Sequence, residues 1–90
     1  METRMRYNFT GFVQGVGFRY RAYHTANLFG LTGWVRNDYD GSVTMEVQGD
    51  RNGIDSLLEK LEQGRYIGID RIDSKEIPIE PSERSFEIRD

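Results

Sequence analysis

The chain has 90 residues, enough for one compact domain over 1–90 with a modest core and too few for two. Hydrophobic residues make up 37% and charged ones 30%, a globular rather than a disordered composition, and the lack of cysteine excludes disulfides, thiolate metal sites and a cysteine nucleophile. A net charge of −3 argues against broad nucleic-acid binding, and no apolar run approaches the roughly 20 residues of a membrane span.

Met5, Tyr7 and Phe9 alternate with Arg6, Asn8 and Thr10, the period of a half-buried strand, which predicts a first strand over about 5–13. The N-terminal "METRMRYNF" has no apolar segment of the signal-peptide kind, and with the missing cysteine this fits a cytoplasmic chain. After the loop "VQGVGF", Ala22, Ala26 and Phe29 recur at helical spacing, predicting a helix from about Arg19 to Phe29 with Gly30 as a left-handed stop. "TGWVRN" (32–37) reads as a second strand, with Trp34 expected in the core.

"SVTMEVQ" (42–48) alternates cleanly, Val43, Met45 and Val47 facing one way and Ser42, Thr44, Glu46 and Gln48 the other, and "DYDG" supplies a turn between these two strands. A second helix opens near Asp50 or Asn52, either of which is a capping residue. Its apolar stripe is Ile54, Leu57, Leu58 and Leu61, and Gly64 is expected to end it. A fourth strand lies within 66–77, although its alternation gives no clear register. After Pro78 and Pro81, "RSFEIR" reads as a short last strand with Phe86 and Ile88 inward.

The order βαββαβ plus a terminal strand leads to an α+β, ferredoxin-like sandwich with two helices on one face of an antiparallel sheet. In that topology the first two strands run the same way with the third between them. The loop Gly15–Val16–Gly17–Phe18 and Asn37 then leave one edge of the sheet about 10 Å apart, at two strand spacings.

A strand-to-helix turn leaves several backbone N–H groups pointing at one spot, and Gly15 and Gly17 allow unusual dihedrals there. Arg19 stands in the first turn, where the helix dipole repels a cation by a few tenths of a kcal/mol. A bound anion reverses that penalty, and a phosphate suits a planar fork plus a ring of amides. Ordinary explanations compete: glycines serve turns, an arginine in a first turn faces water, and an asparagine opening "NDYDG" is a common turn former. The loop is neither a P-loop nor a dinucleotide fingerprint, since no Gly-Lys-Ser/Thr follows and Tyr20 stands where the third glycine belongs. His24 reads as a surface or packing residue. Asp38 and Asp40 read as turn residues, or as a weak pair of site carboxylates.

"GFVQGVGFR" (11–19) followed by "GWVRNDYDGSVTMEVQG" (33–49) resembles the acylphosphatases, and the likeness extends to the helix-2 stripe and the closing "SFEI". The resemblance implies the ferredoxin-like sandwich and metal-independent, cofactor-free hydrolysis of the carboxyl–phosphate bond of small acyl phosphates. It implies that Arg19 binds the phosphoryl group with the amides of Gly15, Val16, Gly17 and Phe18, and that Asn37 positions the attacking water. Inorganic phosphate is then product and inhibitor, and a monomer is expected. Other readings are a phosphate-binding module without turnover, a domain of a hydrogenase maturation factor, and RNA binding on the open sheet face. The last lacks any match to an RNA-recognition motif.

Overall fold

The structure is a computed structural model that describes all residues from Met1 to Asp90. Its elements are β1 (Glu2–Phe12), α1 (Phe18–Leu28), β2 (Thr32–Asn37), β3 (Val43–Asp50), α2 (Arg51–Glu62), β4 (Gly68–Ile77) and β5 (Phe86–Arg89). They form one five-stranded sheet in the order β4-β1-β3-β2-β5. β3 pairs antiparallel with both β1 and β2, so β1 and β2 run the same way, as the sequence pattern requires. The terminal strand departs from the antiparallel expectation: β5 adds to β2 in parallel, making the sheet mixed. The C-terminal ends of β1, β2 and β5 therefore share one edge.

One face of the sheet carries the core. Met5, Tyr7 and Phe9 of β1 and Val43, Met45 and Val47 of β3 pack against Ala22 and Ala26 of α1 and Ile54, Leu57 and Leu61 of α2. Leu58 is half-buried at the rim of this cluster. Phe29 is not part of it; it sits exposed at the end of α1, whereas Leu31, just beyond the helix, is buried in the core. Gly30 adopts the left-handed conformation expected of a stop, at φ 67°. Gly64 also follows a helix end, α2 closing at Glu62 with Gln63 as its C-cap, but without a positive φ; a Cβ there would stand 2.6 Å from Ile67 Cδ1. Asp50 occupies the N-cap of α2 without making a side-chain cap bond.

β4 was opaque to alternation because it carries an extra residue. Its ladder to β1 steps from Thr10–Arg71 to Gly11–Ile69, leaving Asp70 without a partner. Ile69 and Ile72, three apart, consequently both pack on the core.

The opposite face is polar and ordered by charge. Trp34 is buried there rather than in the core, beneath the guanidinium groups of Arg36 and Arg89, 5.0 and 4.8 Å from its ring centroid. Arg4, only 4% exposed, donates from Nη1 to Glu83 at 2.7 Å and from Nη2 to Glu46 at 2.9 Å. Gln48 meets the backbone of Glu80 twice, at 3.1 and 2.8 Å. Together these contacts hold the segment between β4 and β5 against the sheet and so fix where β5 begins. Removing one partner of such a buried pair leaves a charge uncompensated, at a cost of about 3–5 kcal/mol. Arg4→Ala is expected to destabilise the fold by about that much in denaturant titration, whereas exposed Arg71→Ala, whose pair with Asp73 lies in solvent, should change stability by under about 1 kcal/mol.

Candidate active site

The loop from Val13 to Gly17 joins β1 to α1. Val13 and Phe18 anchor its two ends in the core, and the Phe18 ring lies 4.9 Å from that of Phe9. Between these anchors Gly15 and Gly17 take left-handed conformations, at φ 71° and 80°. A Cβ at either would meet nothing within 4 Å, so glycine is required by the backbone path and leaves the space before the loop open. Val16 packs half-buried against the core and, unlike its glycine neighbours, does not line the cavity described below.

No backbone N–H from Val13 to Tyr20 reaches a protein acceptor; the first bonded donor of α1 is Arg21 N, which meets Gly17 O at 3.0 Å. The N-cap residue is Gly17, without a side chain to cap the helix, and the first turn holds no acidic residue. The mouth of α1 is thus positively polarised, with no acidic residue in its own first turn and the cation Arg19 at its second position.

Arg19 reaches across to the end of β5. Its Nη1 donates to the Arg89 carbonyl at 3.5 Å and lies 3.7 Å from Asp90 Oδ1. These long contacts steer the guanidinium while leaving its remaining donors available. Parallel pairing of β5 is what brings that carbonyl to this edge. Arg21, two residues on, points elsewhere: its Nε donates to the Lys60 carbonyl in the last turn of α2 at 2.6 Å.

Asn37 ends β2 opposite Val43, on the helix-bearing face of the sheet. Its side chain makes no hydrogen bond within the protein, and the turn that follows is held by other residues. Asp38 N donates to Ser42 O at 2.8 Å, and Asp40 Oδ1 accepts from the hydroxyl and the N–H of Ser42 at 2.6 and 3.0 Å. The turn-former explanation of Asn37 therefore has no contact to support it. Asn37, Gly15, Gly17, Phe18 and Arg19 line one cavity of about 170 Å³, together with Val13 and Tyr20. A larger hollow of about 390 Å³, beside Glu62, Ile69 and Arg71, lies away from these groups and gathers no comparable set of donors.

The sequence reading passed over the residues that tie the two halves together. Gln14 Nε2 donates to the carbonyls of Asp38 and Ser42 at 2.8 and 2.9 Å, linking the loop directly to the turn after Asn37. The Asp38 carboxylate accepts from Arg36 Nε at 3.1 Å, from the Ser42 hydroxyl at 3.1 Å, from Asn8 Nδ2 at 3.3 Å and from the Thr44 hydroxyl. Asp38 is thus a hub in the turn, pointing to the open face, and Asp40 an exposed turn acceptor; neither carboxylate lines the cavity. No group of three or more His, Cys, Asp or Glu side chains is arranged to hold a metal ion. His24 is exposed and stacks beside Tyr20 on the outer face of α1.

Burial pushes the Asp38 carboxyl upward, but the hydrogen bonds from Thr44, Arg36 and Ser42 and the Arg36 charge outweigh it, so its pKa falls below the usual 3.8. A depressed native value means that Asp38 contributes stability above pH 3.8 and loses it as the pH falls through the native pKa. The difference in melting temperature between wild type and Asp38→Asn is therefore expected to hold steady above about pH 5 and to shrink below pH 3.8. A difference independent of pH would contradict this role.

The family model for acylphosphatase matches residues 5–88. An acylphosphatase of Oceanobacillus iheyensis is 36% identical over 87 residues, covering 94% of this chain and 96% of its own. The crystal structure of acylphosphatase from Bacillus subtilis aligns with a TM-score of 0.89 at 32% identity, over 99% of each chain. Full-length HypF, in its phosphate- and nucleotide-bound form, aligns with a TM-score of 0.91 at 26% identity, over all of this chain but 12% of its own. With a family model running from the core of β1 to β5 and a relative similar nearly end to end, this chain belongs to the acylphosphatase family.

Proposed function

We propose that this chain hydrolyses the carboxyl–phosphate bond of small acyl phosphates without a metal, using Arg19 and the amides of Gly15, Val16, Gly17 and Phe18 to hold the phosphoryl group and Asn37 to orient the water. The observation that carries this reading is the run of N–H groups from Val13 to Tyr20 without a protein acceptor, in a loop whose Gly15, Gly17 and Phe18 line the cavity that Arg19 and Asn37 share. A phosphoryl group offers three oxygens; a guanidinium fork takes two of them and backbone donors the rest.

The chemistry asks for little else. Water attacks phosphorus, the bond from phosphorus to the acyl oxygen breaks, and the products are a carboxylate, inorganic phosphate and a proton. The leaving carboxylate has a conjugate acid of pKa about 4, so it departs without a general acid. Phosphoryl transfer is accelerated chiefly by positioning and by stabilising charge on the equatorial oxygens, which the cradle supplies. Asn37 is not basic; its carbonyl oxygen accepts a hydrogen bond from the water and aims it. The water's proton passes to a phosphoryl oxygen, the nearest base in such a site. Inorganic phosphate, which keeps the recognised oxygens, occupies the same cradle as product and competitive inhibitor. The absence of cysteine fits a cytoplasmic protein, and no helix is long and apolar enough to cross a membrane.

The test is steady-state hydrolysis of benzoyl phosphate in the presence of EDTA by wild type and by Asn37→Ala, each with and without inorganic phosphate. Wild type should turn over undiminished by the chelator. Asn37→Ala should lose most of kcat, about 100-fold for loss of an oriented nucleophile, while its inhibition by phosphate stays within about twofold because the cradle is untouched. Chelator-sensitive turnover restored by a divalent ion would overturn the metal-free mechanism. Phosphate binding by a wild type that does not hydrolyse the substrate would mark a phosphate-binding module instead.

A further inference from the structure

The geometry points to Gln14 as the positioning residue that sets the distance between the phosphate cradle and the water-orienting amide of Asn37. This rests on the reading of Asn37 given above and adds the element on which it depends.

The cradle belongs to the end of β1 and the start of α1, whereas Asn37 belongs to β2, with β3 in between. Sheet pairing fixes the strands, but Asn37 is the last residue of its strand and leads into a turn. Something has to hold that turn against the loop. Gln14 is the loop side chain that does so, with one amide nitrogen bonded to both ends of the turn, Asp38 O at 2.8 Å and Ser42 O at 2.9 Å. Two carbonyl acceptors require an NH2 group with two hydrogens, so the orientation of the amide is fixed by its partners. Glutamate has the same shape but only acceptors at that end. Asparagine is one methylene too short.

Asn8, from the body of β1, grips the same turn from the open face through Asp38 and Ser42. That grip acts on side chains behind the turn. Gln14 acts on the backbone beside the cavity, and it sits between Val13, which is buried, and Gly15, which lines the cradle. Its two bonds therefore join the phosphate-binding backbone to the backbone that carries Asn37.

These bonds are not what keeps the turn folded. The Ser42 carbonyl also accepts from Asp38 N at 2.8 Å, and the Asp38 carbonyl from Gly41 N at 3.2 Å. Removing Gln14 leaves each acceptor with another donor, so stability should change little. Placement is a different matter, because a nucleophile displaced by about 1 Å costs on the order of 100-fold in rate.

The experiment is a double-mutant cycle on benzoyl phosphate hydrolysis with wild type, Gln14→Met, Asn37→Ala and the pair, each checked by circular dichroism and assayed for inhibition by inorganic phosphate. Gln14→Met should fold, lower kcat about tenfold or more, and leave phosphate inhibition within about twofold. In the double variant kcat should be no lower than in Asn37→Ala alone, because once the amide is gone its placement no longer matters. Gln14→Glu should behave as Gln14→Met does. Near-wild-type kcat for either single Gln14 variant, full additivity in the pair, or a Gln14→Met chain that does not fold would each overturn the proposal. Asn37→Ala with normal kcat would overturn the reading of Asn37 and the proposal with it. A crippled Asn37→Ala beside an active Gln14→Met would overturn the proposal alone.

Discussion

A helix whose first turn has no acceptor for its N–H groups is the constraint on which this molecule turns. From Val13 to Tyr20 the backbone donates to nothing in the protein, the N-cap is a glycine, and the first turn holds no acidic residue. Most helices relieve this with a serine, threonine or aspartate worth about 1 kcal/mol. Here the charge pattern is the opposite, with Arg19 in the first turn, and an anion bound at the helix mouth, as proposed above, would relieve it. The fold tolerates the arrangement because Val13, Phe18 and Ala22 bury both ends of the loop firmly in the core.

Sheet topology then completes the site at no cost in extra chain. Inserting β3 between β1 and β2 makes those strands parallel, and adding β5 parallel to β2 brings a third C-terminal end to the same edge. One edge thus collects the cradle, Asn37 and the carbonyl that steers Arg19. The polar face takes part at a distance, since the Arg4 cluster seats the segment leading into β5 and the Asp38 hub holds the turn after Asn37. Groups on the open face act in this way on a site that opens on the other side.

Much of this was legible in the residues. Alternation in β1 and β3, the stripe of α2 and the glycines of the loop carry strong local signals, because each reflects a repeating geometry of the backbone. The two-motif likeness tied Arg19 to Asn37 before their shared cavity was visible. What escaped were features set by partners far along the chain. Trp34 looked like core because it is large and apolar, but it lies under arginines drawn from three strands. The bulge at Asp70 hid the register of β4, since an extra residue breaks the period on which the reading depends. Gln14 and Asp38 have polar side chains in loops, where turn chemistry gives no hint of a partner 24 or 30 residues away. The parallel sense of β5 is likewise a property of the long segment before it rather than of "SFEI".

The shape of the cation at the mouth of α1 is the central claim, and Arg19→Lys tests it most directly because it keeps the charge and removes the fork. The measurement is kcat/KM for benzoyl phosphate, with Arg21→Lys as the control, since Arg21 serves a carbonyl of α2 that lysine can also reach. The account predicts a folded Arg19→Lys with kcat/KM at least about tenfold lower, or about 1.4 kcal/mol, beside a near-normal Arg21→Lys. Near-wild-type kinetics for Arg19→Lys, or an equal loss in both variants, would contradict it.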